Sequence, residues 1–375
     1  MPLKIIAALN VSRLEILAAD GTVDRALMPK IEDDLLLKMY RLMFQIRAFD
    51  ERAVLLQRSG RLGTYPMITG QEATQCVPPL ALKAGDWVVP TYRGGGVYFA
   101  RGMQMRHALL YWAGDDRGAR FPDGSNDMMF SIPVGTHLTQ VAGLAWGEKL
   151  KNKGGVAVAY CGDGTSSKGD LHEALTFAGQ FSLPAVYIIE NNGWAISVPR
   201  SRQSAGRTLA QKAWGYGVPG IQVDGNDALA VYKATADAVA RARAGEGPTL
   251  IECETYRMGA HTTADDAKRY RADEDVNIWK KKDPILRMKK FLTARKLWDE
   301  RKEKDLTNET KTWIDGEVQA YENFPPLNPL DMFAHQYDRA TWPLVEQRAQ
   351  LEELLQFKGG AKILTDLPPA EGRFP

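Results

Sequence analysis

Cysteine is scarce in this sequence. The three residues Cys76, Cys161 and Cys253 form no even set for a disulfide framework and match no metal-binding spacing. A reducing compartment, the cytoplasm, is the expectation. Net charge is nearly absent too: 48 basic residues stand against 46 acidic ones, so nothing points to nucleic acid. No apolar run is long enough to span a bilayer, which excludes a helical membrane anchor from the reading. Glu15, Asp20 and Asp24 come early, a composition unlike a signal or transit peptide. There is no internal repeat and no low-complexity tract. No Gly-x-Gly-x-x-Gly opens a helix after a strand, which argues against a nicotinamide dehydrogenase.

What remains is a 375-residue chain able to bury one large core or two ordinary ones. Its most informative stretch begins at Val156–Cys161, a short apolar run suited to a buried strand. Gly162-Asp163-Gly164 then turns the chain, and its glycines allow backbone to approach a ligand. From Asp170 to Phe181 the residues Leu171, Ala174, Leu175, Ala178 and Phe181 recur at helical spacing. Ser182-Leu183-Pro184 ends that helix. Ala185–Ile189 reads as a second buried strand, with Glu190-Asn191-Asn192-Gly193 as its exit loop.

Such a unit makes two parallel strands with a right-handed crossover. Both exit loops then emerge at the carboxyl edge of one sheet, where open α/β sheets bind ligands. Gly164 and Asn191 are separated by 26 residues, which lets Asp163 and Asn192 converge on one ion. Mg²⁺ takes about six hard oxygens and leaves several to phosphates or water. Asp163, Asn192 and the Trp194 carbonyl are the candidate protein ligands of a metal–diphosphate site. The amides of Gly164 and Thr165, near a helix start, can donate to the anion. Two ordinary turns in an α/β protein are the blander alternative.

From Arg47 to Lys282 the chain resembles the alpha subunit of the thiamine-dependent 2-oxoacid dehydrogenases, nearest the bacterial pyruvate dehydrogenase type. Gly60-Arg61-Leu62-Gly63, Gly70-Gln71-Glu72-Ala73 and Pro90-Thr91-Tyr92-Arg93 carry the resemblance. So do the run from Asn192 to Ser197, Pro219–Gly225 and Gly247–Glu252. Gly259-Ala260-His261-Thr262-Thr263-Ala264-Asp265-Asp266, ending in Arg269-Tyr270-Arg271, completes the set.

The resemblance implies thiamine diphosphate and Mg²⁺ as cofactors. It places Tyr92 and Arg93 near the cofactor, the arginine on the diphosphate, as a guanidinium fork suits phosphate. Read alone, Arg93 would be a solvated surface residue. It puts His261 in a mobile loop, Met258–Arg271, that orders over the cofactor and helps receive the acyl acceptor. Of five histidines, only His261 follows a buried-looking strand, Thr249–Thr255. Catalytic roles are expected for His261 and Tyr92. Ile132-Pro133-Val134-Gly135 matches the place where relatives hold the aminopyrimidine, so Ile132 and Val134 are candidate cofactor contacts. The chain departs from relatives at His137, Thr64 and Glu190, where a glutamine, a phenylalanine, and an arginine or glutamine are found. Gly143 and Gly147, four apart on a helix, suit close helix contact, within the chain or across a subunit interface.

The expected fold is α/β: a thiamine diphosphate-binding fold, a parallel sheet flanked by helices, with helical extensions at both ends. Residues 1–45 are read as a hairpin and helix, 46–290 as the diphosphate-binding domain, and 291–375 as a helical extension and tail. Arg13–Met28 reads as a small strand pair around Asp20-Gly21. Helices are expected over Asp33–Gln57, from a cap at Asp227 to Ala244, over Pro284–Phe291 and over Glu309–Tyr321. Asn323–Asp331 reads as a Pro-rich joint, Trp342–Gln356 as an amphipathic helix, and the residues from Gly359 as loose.

Only one α/β half is present. The resemblance therefore implies a separate beta subunit carrying the activating carboxylate, a two-alpha two-beta heterotetramer, and a lipoyl acyltransferase core as acyl acceptor. The substrate is a 2-oxoacid, with pyruvate favoured. A branched-chain 2-oxoacid or acetoin-cleaving relative, or a non-catalytic scaffold of the same fold, are the alternatives.

Overall fold

The structure is a computed structural model, and it describes residues 3–4, 6–130 and 132–357. The stretch from Gly359 lies outside the described residues. The chain divides into two compact units, residues 1–322 and 323–375.

The first unit is built on a sheet of six strands, all parallel. They are β1 (Ser12–Leu14), β2 (Trp87–Val89), β3 (Ala157–Gly162), β4 (Ala185–Asn191), β7 (Gly220–Asp224) and β8 (Thr249–Glu254). A two-stranded antiparallel hairpin, β5 (Trp194–Ala195) and β6 (Val198–Pro199), stands apart. The sheet order is β1-β7-β8-β4-β3-β2. The β3–helix–β4 unit is the parallel crossover expected, with the helix at Gly169–Gln180.

Both faces of the sheet's centre are covered, which is why β3 and β4 are mostly apolar rather than alternating. On β3, Val158 and Tyr160 pack into one core with Val186, Ile188, Ile251 and the helices Asp33–Arg58 and Ala228–Arg243. Ala157, Ala159 and Cys161 pack into the other, with Tyr187, Leu250 and the helices Thr136–Lys151 and Gly169–Gln180. The helix Asp33–Arg58 buries Leu36, Met39, Tyr40, Met43, Ile46, Phe49, Ala53 and Leu56, a stripe of three- and four-residue steps. All three cysteines are free and buried. Among the described residues no helix is long and apolar enough to cross a membrane.

Two local expectations change. The strand pair near the N-terminus is a single antiparallel bridge, Leu17 to Val23, while β1 instead joins the edge of the main sheet beside β7. The reason is Asp227, whose carboxylate accepts from the amides of Ile16 and Leu17, both at 2.6 Å, and draws this segment onto the sheet. The helix expected over Glu309–Tyr321 runs from Glu300 to Glu322. Its first turns are charged and contribute only Leu306 to the core, so apolar periodicity is faint there.

In the second unit a short 3-10 turn, Pro329–Phe333, precedes the helix Trp342–Gln356. No residue of that helix is buried, and Trp342, Val345 and Leu354 are exposed.

Candidate functional site

The register of β3 on β4 sets the site. Gly162 lies opposite Glu190, so the two strands end together. Asp163 follows β3 directly and Asn192 follows β4 directly, which puts both at neighbouring strand tips on the carboxyl edge. They line one cavity of about 290 Å³. Its walls also include Tyr92, Arg93, Val134, Gly164, Thr165, Trp194 and His261. Of the site residues expected from sequence, Ile132 alone is not in the wall; it is exposed, although Val134 two residues on lines the cavity.

Asp163 is almost fully buried, and burial pushes its carboxyl up to about 6. The Gln203 amide, the Gly164 and Asp163 backbone N–H groups and the charge of Arg257 oppose that shift. The Asn192 amide is oriented by its partners. Nδ2 donates to Gln71 Oε1 at 2.9 Å, and Oδ1 accepts from the Trp194 amide at 3.2 Å. Oδ1 therefore keeps a lone pair for a cation. A carboxylate, a side-chain carbonyl and the Trp194 backbone carbonyl are hard oxygens of the kind Mg²⁺ takes when phosphates complete its shell. Among the described residues no cluster of three or more His, Cys, Asp or Glu side chains is placed to hold a metal. An ion here accordingly depends on an amide oxygen and on an anionic ligand.

Gly164 has a steric reason to be glycine. A Cβ there would stand 2.6 Å from Ala195 Cβ, so the β5–β6 hairpin could not lie over the loop.

The same cavity also carries cations, and Arg257 Nη1 lies 3.4 Å from the Trp194 carbonyl. Arg93 and Arg257 are buried, and neither forms an ion pair with a carboxylate among the described residues. Arg93 donates to the carbonyls of Met67 and His261 at 2.7 and 2.8 Å. Arg257 donates to the Ile196 carbonyl at 2.6 Å and to Tyr270 at 2.9 Å, and its Nε is buried without a partner. Two desolvated guanidinium groups beside an open cavity call for an anion. A diphosphate fits these guanidinium groups, as a divalent ion fits the Asp163, Asn192 and Trp194 oxygens.

His261 sits between these arginines. Its Nδ1 is 3.0 Å from Arg93 Nη2 and 3.4 Å from Arg257 Nη1. Guanidinium nitrogens only donate, so Nδ1 accepts and the ring proton resides on Nε2. Burial, then the charges of Arg93 and Arg257, lower the His261 pKa to about 4. The ring is a neutral donor at pH 7. Tyr92 meets it edge-on, with ring centroids 6.2 Å apart. The loop is tied to itself: the His261 amide donates to Asp265 at 2.7 Å, and Arg271 reaches the Met258 and Gly259 carbonyls.

Sequence reasoning passed over Arg257, Gln71, Gln203 and Lys168 in this cavity or on its edge. Arg257 had a signal, standing just beyond the tip of β8. Gln71 lies within the Gly70–Ala73 motif, which gives it no role of its own. By sequence Glu190 is only a departure from relatives. It is buried in the cavity floor, accepts from Thr74 Oγ1 at 2.6 Å, and is pushed by burial to about 7. Gln203 comes from the short helix Arg200–Gln203, 40 residues beyond Asp163, and has no sequence signal.

Comparison with known proteins bears directly on this site. The family described as the dehydrogenase E1 component matches residues 40–330. The chain belongs to that family. Within it, a pyruvate dehydrogenase E1 component subunit alpha of Staphylococcus epidermidis is 42% identical over 336 residues, covering 89% of this chain and 91% of that protein. The protein of the same name from Staphylococcus aureus strain Mu50 gives 42% over 336 residues, with the same coverage. The E1 match takes in every residue of the cavity wall.

Proposed function

We propose that this chain is the alpha subunit of a pyruvate dehydrogenase (acetyl-transferring). With a beta subunit it decarboxylates pyruvate oxidatively and passes the acetyl group to the lipoyl arm of an acyltransferase core, in the cytoplasm. The observation that carries the reading is Asp163 and Asn192 at adjoining strand tips, in one cavity with an unpaired cationic wall. The 42% identity to pyruvate dehydrogenase alpha subunits supports the choice of substrate.

Asp163, Asn192 Oδ1 and the Trp194 carbonyl would hold Mg²⁺. Arg93, His261 and the Gly164 and Thr165 amides would hold the diphosphate. Backbone groups at Val134, the member of the Ile132–Val134 pair that lines the cavity, would hold the aminopyrimidine. Bound, thiamine diphosphate supplies the nucleophilic carbon and the electron sink that loss of carbon dioxide from a 2-oxoacid requires.

The chain's own share is binding and polarity. Arg93 and Arg257 neutralise the anion, and their existing contacts keep the forks in place before it arrives. His261 offers an Nε2 proton while carrying no charge, so it donates to an oxyanion without adding to the cationic wall. Tyr92 closes one side of the pocket. The two buried carboxyls of the cavity have other tasks, Asp163 at the cation and Glu190 in its bond to Thr74. The resemblance to E1 alpha subunits implies that the carboxylate that activates the cofactor lies on the beta subunit, so the active site would be completed at an alpha–beta interface.

Assay of the co-expressed alpha–beta complex with pyruvate, 3-methyl-2-oxobutanoate and acetoin tests the substrate. The expected order puts pyruvate first in kcat/KM. A preference for the branched acid would overturn the assignment of substrate, and no turnover of any of the three would favour a non-catalytic scaffold.

A further inference from the structure

The Asp163 loop is covered by a segment that arrives from further along the chain. After β4 comes the β5–β6 hairpin and then the short helix Arg200–Gln203. Gln203 Nε2 donates to Asp163 Oδ2 at 3.1 Å and to the Val198 carbonyl at 3.1 Å. Both partners only accept, so the amide has one orientation, with Nε2 on the carboxylate. Its Oε1 is buried without a partner, 3.4 Å from where a Cβ on Gly164 would be.

The segment that presents Gln203 is itself pinned. The Arg200 amide donates to the Gly193 carbonyl at 2.9 Å. The Arg200 guanidinium donates to the Ser204 and Gly206 carbonyls at 3.0 and 2.6 Å. Ser167 Oγ, from the Asp163 loop, donates to the Gln203 carbonyl at 3.2 Å.

We infer that Gln203 is a positioning residue for the cation site, fixing the plane of the Asp163 carboxylate through a neutral donor. The chemistry explains the choice of side chain. A lysine or arginine would reach the same oxygen but would neutralise it and repel a divalent ion. An apolar residue would leave a buried carboxylate oxygen unpaired and free to turn. An amide holds the carboxylate and leaves its charge for the metal. Groups that orient a metal ligand in this way are worth roughly 10- to 100-fold in metal affinity. This inference rests on the magnesium–diphosphate reading of the site.

The test uses the alpha–beta complex. Thiamine diphosphate is held at saturation, Mg²⁺ is titrated, and tryptophan fluorescence, with Trp194 in the cavity wall, reports occupancy. Gln203→Met should raise the half-saturating Mg²⁺ about 10- to 100-fold. Excess Mg²⁺ should restore thiamine diphosphate affinity, and the melting temperature of the ion-free complex should not move. Gln203→Asn, too short to reach Asp163, should shift Mg²⁺ in the same direction and serves if the first variant does not fold. Unchanged half-saturation in both variants would overturn the role, as would a loss that excess Mg²⁺ does not restore. Absence of Mg²⁺-dependent binding in the unaltered complex would overturn the reading of the site along with it.

Discussion

His261 is kept neutral first by burial and then by the charges of Arg93 and Arg257, whose guanidinium groups face Nδ1 and repel a second positive charge. Its folded-state pKa of about 4 lies below the ordinary 6.5. Between those values the unfolded chain binds the proton and the folded chain does not. The histidine's contribution to stability is therefore fully present above pH 6.5 and is lost as pH falls through 6.5 toward 4. Imidazole NMR shifts of the cofactor-free protein should show this ring titrating near 4, and a midpoint near 6.5 would contradict the arrangement. At this scale much of the candidate site was readable in sequence. Asp163, Asn192 and His261 each follow a strand recognisable from its apolar run. Arg257 follows one as well and was missed, since an arginine beside a strand end is ordinarily a solvated one. Gln203 was unreadable, because its place depends on a hairpin fold-back that no local pattern encodes.

Elements position these residues through buried polar ties as much as through apolar packing. Asp227 is the clearest case. It caps the helix Ala228–Arg243 by accepting from the Leu229 and Ala230 amides at 2.9 and 3.0 Å. The same carboxylate takes the amides of Ile16 and Leu17. A lost cap costs about 1 kcal/mol, and each buried amide left unpaired roughly 1–3 kcal/mol. Asp227→Ala should therefore cost about 3–7 kcal/mol, seen as a lower urea midpoint at unchanged slope. A change under about 1 kcal/mol would mean that water replaces the carboxylate at these amides. The cap was legible from sequence, since an Asp preceding an apolar helical repeat is a strong start signal. Its second duty was not: the N-terminal segment contacts it from 210 or more residues away. The central strands and the long helix Asp33–Arg58 were legible because each is strongly apolar or strongly periodic. The edge strand β1, only three residues long, was not.

At the scale of the whole molecule, one face is unfinished. Gly143 and Gly147 on the helix Thr136–Lys151 have nothing within 4 Å of where a Cβ would be. The tight contact that their spacing allows is therefore not made within the described part of the chain. Leu150 is exposed on the same helix, and Trp146 stacks on Phe181 at 4.4 Å beside the half-exposed Phe177. This face suits the subunit packing of the proposed heterotetramer. Gly147→Leu should leave the melting temperature of the isolated chain unchanged and prevent assembly of two alpha with two beta subunits, as read by light scattering. An intact tetramer would remove this helix from the interface. The expectation of a partner rests on the resemblance to E1 alpha subunits; the open face was not legible, because spacing alone does not say which side of a helix is covered.

The central claim is that the Asp163 and Asn192 side chains jointly bind a divalent ion that anchors a diphosphate. Calorimetric titration of thiamine diphosphate into the alpha–beta complex, with and without Mg²⁺ and with Asp163→Ala, tests it most directly. Saturable binding that requires Mg²⁺ and disappears in the variant is the predicted result. Binding of equal strength without the ion, or undiminished in Asp163→Ala, would contradict it.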